Sequence, residues 1–452
     1  MNKIVLTAVC GLAMPMSFAA SSTLPGRPNI VMILVDDLGY GDLSCQGAAN
    51  DIRTPHIDKI LNEGIRFTNF HANCPVSSPS RASLLTGRYP DMVGVPGVIR
   101  THKEDSWGYL SEDAVLLPQM LKKQGYHSAI VGKWHLGLDT PNTPTERGFD
   151  YFHGYLGDMM DDYYTHRRFG NNYMRENREI IDPQGHATDL FSNWAIEYVS
   201  DRKQKEEPFF LYLAYNAPHT PVQPPKEWLE KVKKREPNLT EKRAKIVALI
   251  EHLDHNIGRV YETLKKNGQL ENTIILFASD NGGQADAGAN NGPNRGAKQD
   301  MYEGGIHVAG GVYWKNHIQP QVLDNFVMLS DFFPTLCDLT SVPVQHEIDG
   351  ISVLPLLEGK QQNTDDRMVH WVRREGNFRY GGKAYYATRC NEYKLLQNTP
   401  WEPLQFFNIK EDPQEQHPIE DRSSAIYKKL FKGMMEHIRQ SGMIPWQDEK
   451  YK

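Results

Sequence analysis

Two short acidic pairs, Asp36-Asp37 and Asp280-Asn281, each follow a nearly continuous apolar run, residues 29–35 and 273–278. Adjacent carboxylates repel one another and cost stability unless positive charge lies among them. A hard divalent cation supplies that charge, and an all-oxygen set of three Asp and one Asn suits calcium better than zinc. Either pair alone is ordinary turn or capping chemistry. Both pairs together, at equivalent places in a fold, predict a cation site. A hydroxyl-rich segment, Ser77-Ser78-Pro79-Ser80-Arg81-Ala82-Ser83-Leu84-Leu85-Thr86-Gly87-Arg88, is the other candidate. Its plainest reading is a turn with Ser80 as N-cap and Leu84 and Leu85 packed inward, which accounts for a helix but not for the whole string.

Such groups need a rigid platform. Residues 29–35, 128–131, 209–215 and 273–278 are short apolar runs that end in polar, Gly- or His-bearing turns, with helical patterns between them. Strands buried on both faces and alternating with helices predict a parallel sheet sandwiched by helices. In such sheets, sites gather beyond the carboxyl ends of the strands. The clearest helix carries Ile246, Leu249, Ile250, Leu253, Ile257, Val260, Tyr261 and Leu264 at i, i+3, i+4, i+7 spacing, with Gly268 as its stop. The basic run from Lys231 to Arg235 just before it reads as a solvated face. After about residue 365, alternating segments at 368–372, 384–387 and 393–396 precede an amphipathic stretch at 426–438, which predicts a small antiparallel sheet with one helix.

The segment from Ser77 to Arg88 resembles the signature of the sulfatase family, C/S-x-P-S-R, three residues, then L-T-G-R, whose first residue is oxidised to formylglycine. Counting instead from Cys74 puts Val76 and Ser78 where Pro and Arg belong. Asp36-Asp37-Leu38-Gly39-Tyr40-Gly41-Asp42 and Asp280-Asn281-Gly282-Gly283 are similar to the family's metal motifs. Gly132-Lys133-Trp134-His135-Leu136-Gly137, Ala217-Pro218-His219 and Arg295-Gly296-Ala297-Lys298 are similar to its lysine and histidine loops. The resemblance implies an α/β fold of the alkaline phosphatase and sulfatase type: a large mixed, mainly parallel sheet between helices, with a smaller C-terminal antiparallel sheet plus helix. It implies hydrolysis of a sulfate ester, with one calcium held by Asp36, Asp37, Asp280, Asn281 and the modified Ser77. Arg81 and Lys133 would orient the formylglycine diol, Lys298 would add charge beside the sulfate, His219 would protonate the leaving group, and His135 would act as base when sulfate is released. A serine-type member also implies a partner, an anaerobic, radical-type formylglycine-generating maturation enzyme.

The remaining sequence bounds these expectations. Of the 452 residues, 39% are hydrophobic, enough for a large core, and 50 basic against 56 acidic residues spread along the chain give a net charge of −6. No basic face suggests nucleic acid. Lys3, the apolar stretch from Ile4 to Phe18 and the small residues Ser17 and Ala19 read as a secretory leader over residues 1–19, too short to span a bilayer. Cys10 is poorly placed for a lipoprotein, so the expectation is export to the periplasm or beyond. The organisation expected is therefore a leader, a catalytic part over 25–365 and a C-terminal part over 366–452. Cys45, Cys74, Cys337 and Cys390 have no C-x-x-C metal spacing and leave one or two disulfides open.

For substrate, the stretch from Leu156 to Arg178 holds Asp161, Asp162, Tyr163, Tyr164, His166, Arg167 and Arg168, a polar aromatic insert suited to a sugar or to pairing with itself. Arg100, His102, His370, Arg373 and Arg374 are further candidates. Resemblance to exported polysaccharide-degrading sulfatases implies an exo-acting enzyme on galactose or N-acetylgalactosamine sulfate. The competing expectations are a phosphatase or phosphodiesterase of the same superfold, a promiscuous arylsulfatase, and a non-catalytic sulfated-glycan-binding protein in which Ser77 stays serine.

Overall fold

The computed structural model describes residues 23–102, 105–375 and 383–448; the expected leader lies outside the described residues. In the strand Asn29–Asp36 (β1), Ile30, Met32 and Leu34 enter one hydrophobic core while Val31, Ile33 and Val35 enter another. That two-sided burial puts β1 in the middle of a sheet with helices on both faces. The other strands of this sheet are β2 (Ile65–Phe67), β3 (His127–Lys133), β4 (Tyr151–Tyr155), β5 (Met174–Glu176), β6 (Glu179–Ile180), β7 (Phe209–Pro218), β8 (Thr273–Ser279), β9 (Gly310–Trp314) and β10 (Gln321–Leu323). Across the sheet the order is β10, β2, β9, β8, β1, β7, β3, β4, β5, β6. The central five, β8 to β4, are parallel, whereas β9 and β5 run antiparallel to their inner neighbours.

Register brings the chemistry to one rim. Val35 pairs with Ser279, so Asp36 and Asp280 emerge side by side, and Asp36 itself pairs with Pro218. His219 leaves the next strand end, and Lys133 ends the strand beyond it. Above the rim sits the helix Ser77–Thr86 (α1), buried at all ten positions and closed by Gly87 at φ 68°, where a side chain would be strained. Ser80 is not its N-cap. The helix starts three residues earlier, and the Ser80 Oγ instead bonds the backbone N–H and C=O of Cys74 at 3.1 and 2.9 Å.

On the opposite face, the apolar stripe expected around residues 246–264 lies within a 26-residue helix, Glu241–Lys266 (α2), capped by the Thr240 hydroxyl. The basic run belongs to the preceding helix, Lys226–Arg235, where Lys231, Lys233 and Lys234 face solvent and Arg235 pairs with Glu251.

The C-terminal sheet has the expected strands, β11 (Met368–Glu375), β12 (Lys383–Cys390) and β13 (Tyr393–Gln397). A fourth, β14 (Gln405–Asn408), carries no sequence alternation that marked it in advance. One face packs Leu395 and Phe406 against Leu430 and Met434 of the helix Ala425–Ser441 (α3). The other face packs Trp371, Leu396 and Phe407 against Met301, Ile306 and Phe326 of the main body. At that junction the buried Lys394 ammonium bridges Glu303 at 2.7 Å and Glu415 at 2.8 Å. The four cysteines of the described residues are free thiols, and no helix among those residues is long and apolar enough to cross a membrane.

Candidate active site

Ser77 opens α1 directly above the strand ends. Its hydroxyl donates to Asp36 Oδ1 at 2.8 Å and also contacts Asp280 Oδ2. The Arg81 guanidinium, one turn along α1, reaches Asp280 at 3.1 Å and Asp36 at 3.6 Å, while Lys133 Nζ lies 2.5 Å from Asp36. On the outer side, Lys298 Nζ is 2.6 Å from Asp37, and His219 Nε2 is 3.6 Å from the same carboxylate. Three carboxylates are thus interleaved with three cations in a site whose centre is fully buried. Burial acts to raise the Asp36 pKa, but Lys133, His219, Arg81 and Lys298 override it and hold this carboxyl well below the usual range. Asp280 moves the other way, to about 7, because burial and the nearby Asp36 charge both oppose its ionisation.

The fit for a cation rests on one atom. Asn281 Nδ2 donates to Asp37 Oδ1 at 2.8 Å and to the Gly282 carbonyl at 2.9 Å, yet the buried Asn281 Oδ1 has no hydrogen-bond partner. An orphaned buried acceptor is costly, and a hard cation among Asp36, Asp37, Asp280 and Asn281 satisfies it with oxygen ligands alone. Ligating atoms of Asp36, Asp37 and His219 lie within 4.8 Å of one another.

Each histidine has a fixed tautomer. His135 Nε2 donates to the Ile99 carbonyl at 2.9 Å, leaving Nδ1 buried, unpartnered and bearing the lone pair. Burial, then the charges of Lys133 and Arg81, hold its pKa well below the ordinary range, so the ring is neutral. His219 Nδ1 donates to the Thr220 carbonyl at 2.6 Å, which turns Nε2 toward the cavity and Asp37. Behind it the buried Tyr163 hydroxyl donates to the carbonyls of His219 (2.8 Å) and Asn216 (3.0 Å). Tyr163→Phe is expected to lower kcat by about tenfold through looser placement of His219. Parallel kinetics and melting curves check this, with the thermal midpoint nearly unchanged.

A model of the sulfatase family matches residues 28–342, and one of the N-sulphoglucosamine sulphohydrolase C-terminal region matches residues 297–442. The chain belongs to the sulfatase family. This sulfatase is 31% identical to human N-acetylgalactosamine-6-sulfatase over 95% of its own length and 88% of that protein. It is 32% identical to the uncharacterized sulfatase YdeN of Escherichia coli, over 77% of this chain and 69% of YdeN. The crystal structure of Ps i-CgsB with k-i-k-neocarrahexaose superposes with a TM-score of 0.84 at 31% identity, over 93% of this chain and 95% of that one. The protein is a sulfuric ester hydrolase.

Above Ser77 the sulfatase has a cavity of 270 Å³ bounded by His135, His219, Lys298, Arg100, Arg168 and Arg373, together with Asp158, Gln284 and Gln299. Arg100 and Arg373, distant in sequence, converge on the buried Glu375, at 2.5 and 2.8 Å. Arg168 is held by Asp158 at 3.1 Å and by Asp161 at 2.7 Å, so Asp161 reaches the cavity only through that arginine. His102 lies outside, against Phe169. Other expected residues are not brought to the site either: the buried His166 bonds the Gly185 carbonyl, and Arg167 pairs with Asp182 at 2.9 Å. Asp162 accepts turn N–H groups from Tyr164 and Thr165, His370 stacks on His437, and Arg374 bonds Ser441. Asp158, Gln284 and Gln299 went unread in the sequence. Gln299 follows Lys298, and Gln284 follows the second metal motif, so adjacency was the signal for both.

Proposed function

We propose that this sulfatase removes sulfate from a carbohydrate, with Ser77 oxidised to formylglycine and calcium held by Asp36, Asp37, Asp280, Asn281 and residue 77. The observation that carries the reading is the Ser77 side chain, set against Asp36 and Asp280 at the floor of a cavity lined by Lys298 and two histidines of fixed tautomer, with Arg81 and Lys133 buried against those carboxylates. When bound, calcium supplies Lewis acidity and positive charge beside the sulfate oxygens. Hydrated formylglycine supplies two geminal hydroxyls, one to attack sulfur and one whose later deprotonation lets sulfate go.

The chain's own residues do the rest. Lys133 and Arg81 hold the side chain of residue 77 by fixing its carboxylate neighbours. Lys298 offers the entering ester a charge at the cavity side of Asp37. His219, with Nε2 aimed inward, gives a proton to the departing sugar oxygen, because the incoming anionic ester favours the imidazolium. His135 takes a proton at its bare Nδ1 during release. Carbohydrate as the leaving group is supported by the arginine, aspartate and glutamine lining of the cavity. It is also supported by relatives, one named for N-acetylgalactosamine 6-sulfate and one solved with a neocarrahexaose. A galactose or N-acetylgalactosamine sulfate is the favoured substrate. In this reading residues 1–19 are a leader, the enzyme works outside the cytoplasm, and a radical-type maturation enzyme modifies it.

The test is the intact mass of the peptide containing residue 77, from protein made in an anaerobic host that has such a maturase. It is expected about 2 Da lighter than the serine form, the mass of two hydrogens lost on oxidation. Active protein carrying only unmodified serine would overturn the formylglycine mechanism.

A further inference from the structure

The cavity that holds Ser77 also carries two carboxamides that the reaction does not use, Gln284 and Gln299. The backbone brings them together beside the sulfate position. Gln299 follows Lys298, whose ammonium faces Asp37, and Gln284 follows the second metal motif. The Lys298 N–H donates to the Gly283 carbonyl at 3.1 Å, which ties the two segments side by side. In turn the Gln299 N–H donates to the Pro75 carbonyl at 2.9 Å, two residues before Ser77. A substrate group that meets Gln299 is therefore carried close to the sulfated carbon.

Gln299 holds its side chain at a cost and in one orientation. Its φ of 86° lies where glycine is at ease and a β-carbon is not, so a glutamine there points to a use for the side chain. Arg373, itself fixed by the buried Glu375 at 2.8 Å, donates to the Gln299 backbone carbonyl at 3.1 Å and to Oε1 at 3.4 Å. A guanidinium only donates, so the amide oxygen is the atom that faces it. Nε2 is then the group Gln299 has to offer. The residue is exposed and lines the cavity, and no described residue accepts from Nε2. The Gln284 carboxamide likewise makes no side-chain hydrogen bond among the described residues, and it can turn to accept as well as donate. Val76, next to Pro75, adds apolar surface to the same lining. A fixed amide donor, an adaptable amide and an apolar neighbour match the carbonyl, N–H and methyl of one acetamido group.

We propose that Gln299 and Gln284 seat the acetamido group of a sulfated N-acetylhexosamine, so that the enzyme selects N-acetylated sugars over those with a hydroxyl at the same carbon. The assignment rests on the carbohydrate reading above and narrows it. The test uses formylglycine-bearing enzyme on matched pairs, N-acetylgalactosamine against galactose and N-acetylglucosamine against glucose. Each is 4- or 6-sulfated and supplied free or within a disaccharide. A disulfated galactose and an aryl sulfate complete the panel.

The expected ratio of kcat/KM, N-acetylated to hydroxyl-bearing, is about ten or more in the pair that is cleaved. Gln299→Met keeps the length of the side chain but removes the donor, and brings that ratio to within about threefold of one. Gln299→Gly lowers the ratio as far while its thermal midpoint holds or rises, because the strained side chain is gone. If that midpoint falls, Gln299→Met decides by the ratio alone. A glutamine kept only to pack against Arg373 would give a lower midpoint and an unchanged ratio. A wild-type ratio of one or below, a ratio that neither substitution changes, or a preference for the disulfated sugar that Gln299→Met abolishes would overturn the proposal. Cleavage of the aryl sulfate with no sugar sulfate hydrolysed would instead overturn the carbohydrate reading and this inference with it.

Discussion

Ser77→Ala is expected to slow turnover by at least about a thousandfold, the scale of losing a nucleophile, while the melting temperature stays within a few degrees. No nearby hydroxyl can take its place. Ser78 Oγ accepts the Ile99 N–H at 3.0 Å, and Ser80 Oγ is engaged with the Cys74 backbone. Among the described residues, only the Ser77 hydroxyl meets both Asp36 and Asp280. Alanine suits the first position of a helix, and the change removes a group rather than adding volume to a packed site. Rates on a sulfate ester, with circular dichroism on the same samples, make the measurement. A near-normal rate in the folded variant would remove Ser77 from the mechanism.

What could be read in advance follows from how local each feature is. The strand ends were legible because a strand buried on both faces leaves an unbroken apolar run, as in residues 29–35, and the polar residues after it mark the rim. Asp36 and Asp280 could be paired for the same reason, since parallel neighbours of similar length end at the same level. Residues of the 156–178 insert could not be sorted this way. Arg167 and Arg168 are adjacent, yet one pairs with Asp182 at the surface and the other faces the cavity between Asp158 and Asp161. Strand periodicity does not reach into such a loop, and each arginine's partner is a matter of tertiary approach. The meeting of Arg100 and Arg373 on Glu375 depends on how the C-terminal sheet docks, which no local pattern encodes. Gln299 is hidden for another reason. It sits at φ 86°, a conformation glycine would normally take, where it accepts Arg373 through its backbone carbonyl at 3.1 Å.

Removing divalent cations by exhaustive chelation is expected to lower turnover by roughly a hundredfold to a thousandfold, and the thermal midpoint by roughly 5 °C. The charge balance gives the reason. Without a bound cation the pairs Lys133–Asp36, Arg81–Asp280 and Lys298–Asp37 neutralise one another, and nothing in that set draws an anion inward. A divalent cation among the same carboxylates leaves the six side chains and the ion with a surplus of two positive charges, focused at the cavity floor where the sulfate must sit. It also gives Asn281 Oδ1 the partner it lacks and removes the cost of crowding Asp36 against Asp280. Because these last effects do not involve turnover, the melting shift should appear even in protein whose Ser77 is unmodified, which separates loss of the cation from loss of formylglycine. Calcium should restore both readouts and zinc neither, since the ligands are oxygens and no cysteine is among them. A chelated enzyme with unchanged melting and unchanged rate would leave the three salt bridges as the whole account of the acidic cluster.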